Sequence, residues 1–132
     1  MNQDDCLFCR IVKGEIPSYK IYENDSTFAF LDINPISNGH VLVVPKNHSD
    51  NITKISKEEF SSLMESVRLI SLKLKESLDS DSINIKMIGE IVNHTHVHII
   101  PRYNGDNPVD GMLDESAKNN LKDTLEKIID KI

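Results

Sequence analysis

Between residues 94 and 98 the chain reads His94-Thr95-His96-Val97-His98, and no other stretch restricts the fold as strongly. Side chains alternate in direction along a strand, so three imidazoles at every second position leave one face, about 7 Å apart. Thr95, Val97 and Ile99 take the opposite face and anchor the strand to a core. A single strand histidine is ordinarily a polar residue with its hydrogen bonds satisfied. Three on one face are different, because each needs partners and together they resist protonation near neutral pH. A fold gains nothing structural from that arrangement, so the cluster marks a chemical site.

Two chemistries use such a cluster. Histidines at i and i+2 are common metal ligands, which reads as a hydrolytic metal site with Glu90 as the local carboxylate. Alternatively, one imidazole attacks phosphorus while its neighbours donate hydrogen bonds to the charge that builds on phosphate oxygens.

The rest of the chain predicts an α+β domain on an antiparallel sheet of about five strands. Residues 6–13 read as a short helix stopped by Gly14 and Pro17. Lys20–Glu23 and Thr27–Leu31 are short strand-like runs, and Asp32 to Asn38 is a loop rich in turn residues. His40–Val44 is a buried strand ended by Pro45. Ser56-Lys57-Glu58-Glu59 has the capping-box pattern, and Phe60, Leu63, Met64, Val67, Ile70, Leu74 and Leu78 then recur at helical spacing. This predicts one long central helix. Ile83–Ile88 alternates like a strand, Gly89 breaks it, and Ile91–Pro101 forms the last strand. Tyr103–Gly111 is loop. From Ala117 a C-terminal helix buries Leu121, Leu125, Ile128, Ile129 and Ile132.

At 132 residues the chain makes one domain, 1–132, and not two. Its net charge of −6 excludes nonspecific nucleic-acid binding, which needs a dense basic surface, but permits one small phosphate ligand. No apolar run approaches the roughly 20 residues that span a bilayer. The acidic Met1–Asp5 start is unlike a secretory signal, so the expected location is cytoplasmic. There the only two cysteines, in Cys6-Leu7-Phe8-Cys9, indicate metal or redox chemistry rather than a structural disulfide. No strand long enough precedes them as a redox motif normally requires, which favours metal over redox. A tetrahedral zinc needs two more ligands, and on the residues alone His40 completes the set as readily as His48.

The stretch His94 to Arg102, with its His-x-His-x-His followed by two apolar residues, resembles the signature of the histidine-triad (HIT) nucleotide-binding family. Cys6–Pro17, Phe30–Pro35 and Gly39–His48 are similar to three further family blocks in the same order, so the resemblance covers roughly residues 6 to 102. It implies that His96 is the nucleophile, forming a transient nucleotidyl-imidazole on a small, purine-type nucleotide. His98 and His40 would contact the phosphate, and Asp32 would accept from ribose hydroxyls. The base would lie against Phe8, Ile11, Ile16, Phe30 and Ile33. Phosphoramidates, dinucleoside polyphosphates and nucleotidyl compounds are the implied substrates. The CxxC-bearing branch implies one structural zinc per chain on Cys6, Cys9, His48 and His94, and a homodimer pairing the long helix and sheet edges. Leu69 and Leu72 lie off the main apolar stripe, as such pairing requires.

The chain departs from the family pattern just before the triad. That segment is short, with Glu90 where Gln is usual and Ile91 where Ser or Thr donates to the leaving group or phosphate. A carboxylate there repels an anionic substrate unless it is protonated or faces a cationic leaving group. The missing hydroxyl also gives a second class, a nucleotide- or zinc-binding module with little turnover.

Overall fold

A computed structural model describes residues 5–88, 92–104 and 113–129. Four helices and five strands follow in the order α1 (Leu7–Val12), β1 (Lys20–Glu23), β2 (Thr27–Leu31), β3 (Val41–Pro45), α2 (Lys57–Leu78), β4 (Ser82–Lys86), β5 (Val97–Arg102), α3 (Glu115–Asn119) and α4 (Leu121–Ile129). The strands form one sheet, ordered β1-β2-β3-β5-β4, with every neighbouring pair antiparallel. The fold is the expected α+β domain with a long central helix and a helical C-terminal segment.

Both faces of the sheet are covered, which is why β2 and β3 are buried at every residue. On one face Ala29, Leu31, Val41, Val43, Val97 and Ile99 pack against Leu63, Val67, Ile70 and Leu74 of α2 and Ile128 of α4. Full burial of each such aliphatic side chain stabilises by about 1.5–3 kcal/mol. Ser56 caps α2, its hydroxyl accepting from the Glu59 N–H at 3.1 Å, and Asp79 ends the helix in the left-handed region at φ 53°. On the other face Phe28, Phe30, Leu42 and Val44 meet Cys6, Phe8, Cys9 and Ile11 of α1 and its cap. This second face carries the histidines.

Gly39 shapes the entry to β3. Its φ is +86°, and an added Cβ would collide with the Leu78 side chain and come within 3.2 Å of Pro101. Only glycine lets this turn sit against the end of α2 and deliver His40 to the sheet.

Four expectations are corrected. The last strand begins at Val97 rather than Ile91. Before it, the Thr95 N–H donates to the Ser49 carbonyl at 2.8 Å and Thr95 Oγ1 meets Ser49 Oγ at 2.7 Å, so a loop, not a strand, holds that segment. Thr95 is thus anchored by hydrogen bonds rather than by core packing. The C-terminal helix breaks at Asn120, where φ −115° and ψ 19° leave the helical region. After the break Ile129 turns outward at 49% exposure, and Thr124 is buried beside Ile128 instead. Gly89, Glu90, Ile91, residues 105–112 and Ile132 lie outside the described residues.

Candidate functional site

Two clusters of side chains meet on the α1 face, one at each side of His96. The first gathers Cys6 and Cys9 from the start of α1, His48 from the loop after β3, and His94 from the segment before β5. Their four ligand atoms lie within 4.8 Å of one another. Cys6 Sγ is 3.3 Å from His94 Nδ1, and Cys9 Sγ is 3.3 Å from His48 Nδ1.

The outer nitrogens of both rings are committed elsewhere. His94 Nε2 donates to the Pro45 carbonyl at 2.9 Å, and His48 Nε2 donates to Asp50 Oδ1 at 2.9 Å. In the neutral form each imidazole carries one proton, and with these outer partners it is Nδ1 that turns a bare lone pair toward the sulfurs. Metal-bound histidines are held by such outer partners. Burial, then the contact with Cys6, pushes the Cys9 thiol up to about 12, so a thiolate here requires a cation. Burial also holds His94 down to about 4, which keeps it neutral. Donor type, number and proton placement fit a tetrahedral Cys₂His₂ metal. His48, not His40, joins the cysteines.

The second cluster is Asp32, His40 and His98, whose ligand atoms also lie within 4.8 Å. Proton placement separates it from the first. The Ile36 backbone N–H donates to His40 Nδ1 at 3.1 Å, so the His40 proton sits on Nε2. From there it donates to His98 Nδ1 at 2.9 Å, with Asp32 Oδ2 at 3.5 Å as a second acceptor. The His98 proton is thereby placed on Nε2, facing the cavity described below. This chain of donors leaves His40 no lone pair for a cation. It presents an N–H instead.

His96 stands between the clusters. Its Nδ1 donates to the carbonyl of His94 at 2.7 Å, which leaves Nε2 as the bare nitrogen. The His96 ring lies 5.0 Å from Phe8 and 5.1 Å from His98, centroid to centroid. Burial, then the neighbouring His96, holds His98 down to about 4. Burial raises the Asp32 carboxyl above its ordinary value, against the lowering effect of the Asn34 N–H that it accepts at 2.8 Å.

His96 and His98 line the inner end of a cavity of about 410 Å³. Its walls include Phe8, Ile11, Ile16, Phe30, Ile33 and Asp32, every side chain that the sequence assigned to nucleotide binding. Phe8, Ile11 and Phe30 also belong to the core, whereas Ile33 is 57% exposed and forms the rim. His40 stands behind His98 rather than on the wall. Sequence reasoning missed Asp50, the Ile36 N–H, and Leu42, Ile88 and Val92 on the wall. Only Asp50 left a trace, two residues beyond His48.

A five-stranded antiparallel sheet with an imidazole-floored cavity on one face and a Cys/His cluster beside it defines a histidine-triad type of domain. Residues 13–105 match the HIT domain. An uncharacterized HIT-like protein of Methanocaldococcus jannaschii is 41% identical over 109 residues, 79% of this chain and 84% of that protein. An adenylylsulfatase of Arabidopsis thaliana is 39% identical over 105 residues, 76% of this chain and 53% of the plant protein. An adenosine 5′-monophosphoramidase of Candida albicans is 37% identical over 106 residues, 74% of this chain and 70% of that protein. Among solved structures, a HIT-like protein of Bartonella henselae superposes with a TM-score of 0.86 at 30% identity, covering 98% of this chain and 97% of its own. A zinc-bound histidine triad protein of Mycobacterium smegmatis superposes with a TM-score of 0.83 at 29% identity, covering 98% and 96%. The chain belongs to the HIT domain family.

The proton placement has a consequence for stability. Burial, then the charges of His98 and Lys86, holds His40 down to about 3 from 6.5. Between these values the unfolded chain accepts a proton that the folded chain refuses. The contribution is fully present above about pH 6.5 and is lost as pH falls toward 3, at ~1.4 kcal/mol per pH unit for one proton. We expect the unfolding free energy of His40→Gln, from urea titrations at pH 6, 5 and 4, to fall less steeply than that of the wild type by about one proton's slope. Equal slopes would contradict a neutral, buried His40.

Proposed function

We propose that this protein is a hydrolase or nucleotidyl transferase acting on phosphorus, with His96 attacking the α-phosphorus of a small, purine-type nucleotide. The observation that carries this reading is the bare Nε2 of His96, fixed by the His94 carbonyl at the floor of an apolar cavity. A neutral imidazole with its lone pair turned to the ligand is a nucleophile near pH 7. The base lies against Phe8, Ile11, Ile16, Phe30 and Ile33, and Asp32 accepts from the ribose. The His98 Nε2–H, relayed from His40, meets the phosphate oxygens.

Attack forms an N–P bond and breaks the bond from phosphorus to the leaving group. Water then attacks the phosphorus, the N–P bond breaks, and one water proton passes to solvent. The relatives named as an adenylylsulfatase and an adenosine 5′-monophosphoramidase support a purine nucleotide. Among the described residues no helix is long and apolar enough to cross a membrane. The reading places the protein in the cytoplasm, where its two free cysteines stay reduced.

Cys6, Cys9, His48 and His94 hold one zinc per chain in this reading, a closed and structural site. When bound, zinc supplies a cross-link between α1, the loop after β3 and the segment before β5; the zinc-bound neighbour supports this. The chain also pairs as a homodimer. Leu72 of α2 is 47% exposed and Ile85 of the edge strand β4 is 44% exposed, the apolar side chains such pairing covers.

His96→Ala should abolish turnover yet leave nucleoside monophosphate binding within about tenfold, because loss of a covalent path costs orders of magnitude in rate and one lost hydrogen bond does not. His98→Ala should weaken both. His94→Ala should lower metal content and stability before chemistry. Near-normal hydrolysis by His96→Ala would refute the mechanism, and wild-type binding without turnover would leave a binding module. Protein purified without chelators should contain about one zinc per chain, and chelation should lower Tm by roughly 10 °C; metal-free protein of unchanged Tm would remove the zinc site. Light scattering at micromolar concentration should give a dimer mass, and a monomer mass would count against pairing.

A further inference from the structure

One cation stands across the ladder from His98 and has no part in the chemistry above. Lys86 ends β4, the edge strand, and its Cα partner across the ladder is His98. Residues directly opposite in an antiparallel pair leave the same face with their Cβ atoms about 4.5–5.5 Å apart. The Lys86 stem therefore rises beside the imidazole that donates into the cavity. Ile88, two residues on, lines the cavity wall.

Lys86 is exposed, and none of the ion pairs found among the described residues includes it. Some other cations are engaged, Lys20 and Lys46 with Glu23, Arg68 with Glu65 and Lys73 with Glu76. The positive charge of Lys86 reaches both His98 and His40 and adds to the effect of burial in keeping them neutral. Beside His98 there is thus a fixed positive charge and one uncharged N–H donor, that of His98, with His40 neutral behind it.

That combination discriminates between leaving groups. An amine leaves phosphorus only after taking a proton from an acid whose pKa lies near working pH, and an ammonium, which keeps its proton there, is a poor one. A phosphate or sulfate leaves as a stable oxyanion and needs no proton, only a nearby positive charge.

Resting on the proposed role of His96, we propose that Lys86 is a specificity-determining residue that selects nucleotides whose leaving group is an oxyanion, a phosphate chain or a sulfate, over those whose leaving group is an amine. The His96 Nε2–P bond forms as the P–O bond breaks, and the electron pair stays on the departing oxygen, where the ammonium meets it. No proton moves in this step.

The test compares two substrates with the same adenosine 5′-phosphoryl half: diadenosine triphosphate, which releases ADP, and adenosine 5′-phosphoramidate, which releases ammonia. Lys86→Met should lower kcat/KM for the triphosphate by about tenfold to a hundredfold, the range for one lost charged contact, and leave the phosphoramidate within about threefold. Lys86→Arg should restore most of the loss, and the salt dependence of the triphosphate reaction should flatten in Lys86→Met. Equal effects on both substrates, or none on either, would overturn the proposal. If both reactions require His96 while Lys86→Met spares them equally, the leaving-group assignment fails and the nucleophile stands. If the wild type turns over neither substrate, the His96 reading fails and equilibrium binding decides the role of Lys86. Lys86→Met must then weaken ADP binding several-fold more than AMP binding, and an equal loss overturns it.

Discussion

The hydrogen bond from His96 Nδ1 to the carbonyl of His94 spans two residues, and the rest of the site is arranged so that it can form. In a regular inner strand the carbonyl of His94 would be turned to a neighbouring strand and engaged in the ladder. Strand pairing here begins only at Val97, and the segment before it hangs from Ser49 through the backbone and hydroxyl of Thr95. Leaving the ladder frees the carbonyl to fix one tautomer of His96. The same residue faces two ways, since the His94 side chain points into the cysteine cluster while its backbone orients the neighbouring imidazole.

Burial then decides the charge state of the ensemble. The histidine face of the sheet is closed by α1, whose Phe8 packs edge-on against both His94 and His96. A poorly solvated imidazole resists its proton, and several neighbouring imidazoles resist it together. A neutral ring is donor at one nitrogen and acceptor at the other, so in that form every external partner dictates what the opposite nitrogen can do. Pro45, Asp50, the His94 carbonyl and the Ile36 N–H are the four outer partners that set this pattern.

Much of this was legible in the sequence, for identifiable reasons. The stripe from Leu63 to Leu74 and the Ser56 cap specify α2 because helical periodicity over many residues has few alternatives. The His-x-His-x-His spacing and the cysteine pair identified the cavity floor and the metal-type cluster. The start of the last strand was not legible, since the alternation of Ile91 to His96 looks the same whether or not a neighbouring strand pairs with it. What decides is a tertiary contact, Ser49 to Thr95, between residues 46 apart. The outward turn of Ile129 was hidden for a similar reason: Ile128 and Ile129 are neighbours about 100° apart on α4, and only the tertiary packing, which takes Leu121, Leu125 and Ile128, decides which of the two is buried. Backbone donors such as the Ile36 N–H leave no sequence signature at all.

Distance alone would call both donor clusters metal sites, and their protons show why they are opposites. At Cys6, Cys9, His48 and His94, every outer partner is an acceptor, so the ring protons point away and lone pairs converge. At His40 the outer partner is a donor, the Ile36 N–H, so the proton points inward and is relayed through His98 toward the cavity. The first arrangement suits a cation and the second an anion. Lys86 extends the second by placing a positive charge across the ladder from His98, where it would repel a metal and attract a phosphate. A single backbone N–H, at the turn before β3, thus turns a pair of imidazoles from the cation-holding arrangement of His48 and His94 to the anion-holding one of His40 and His98.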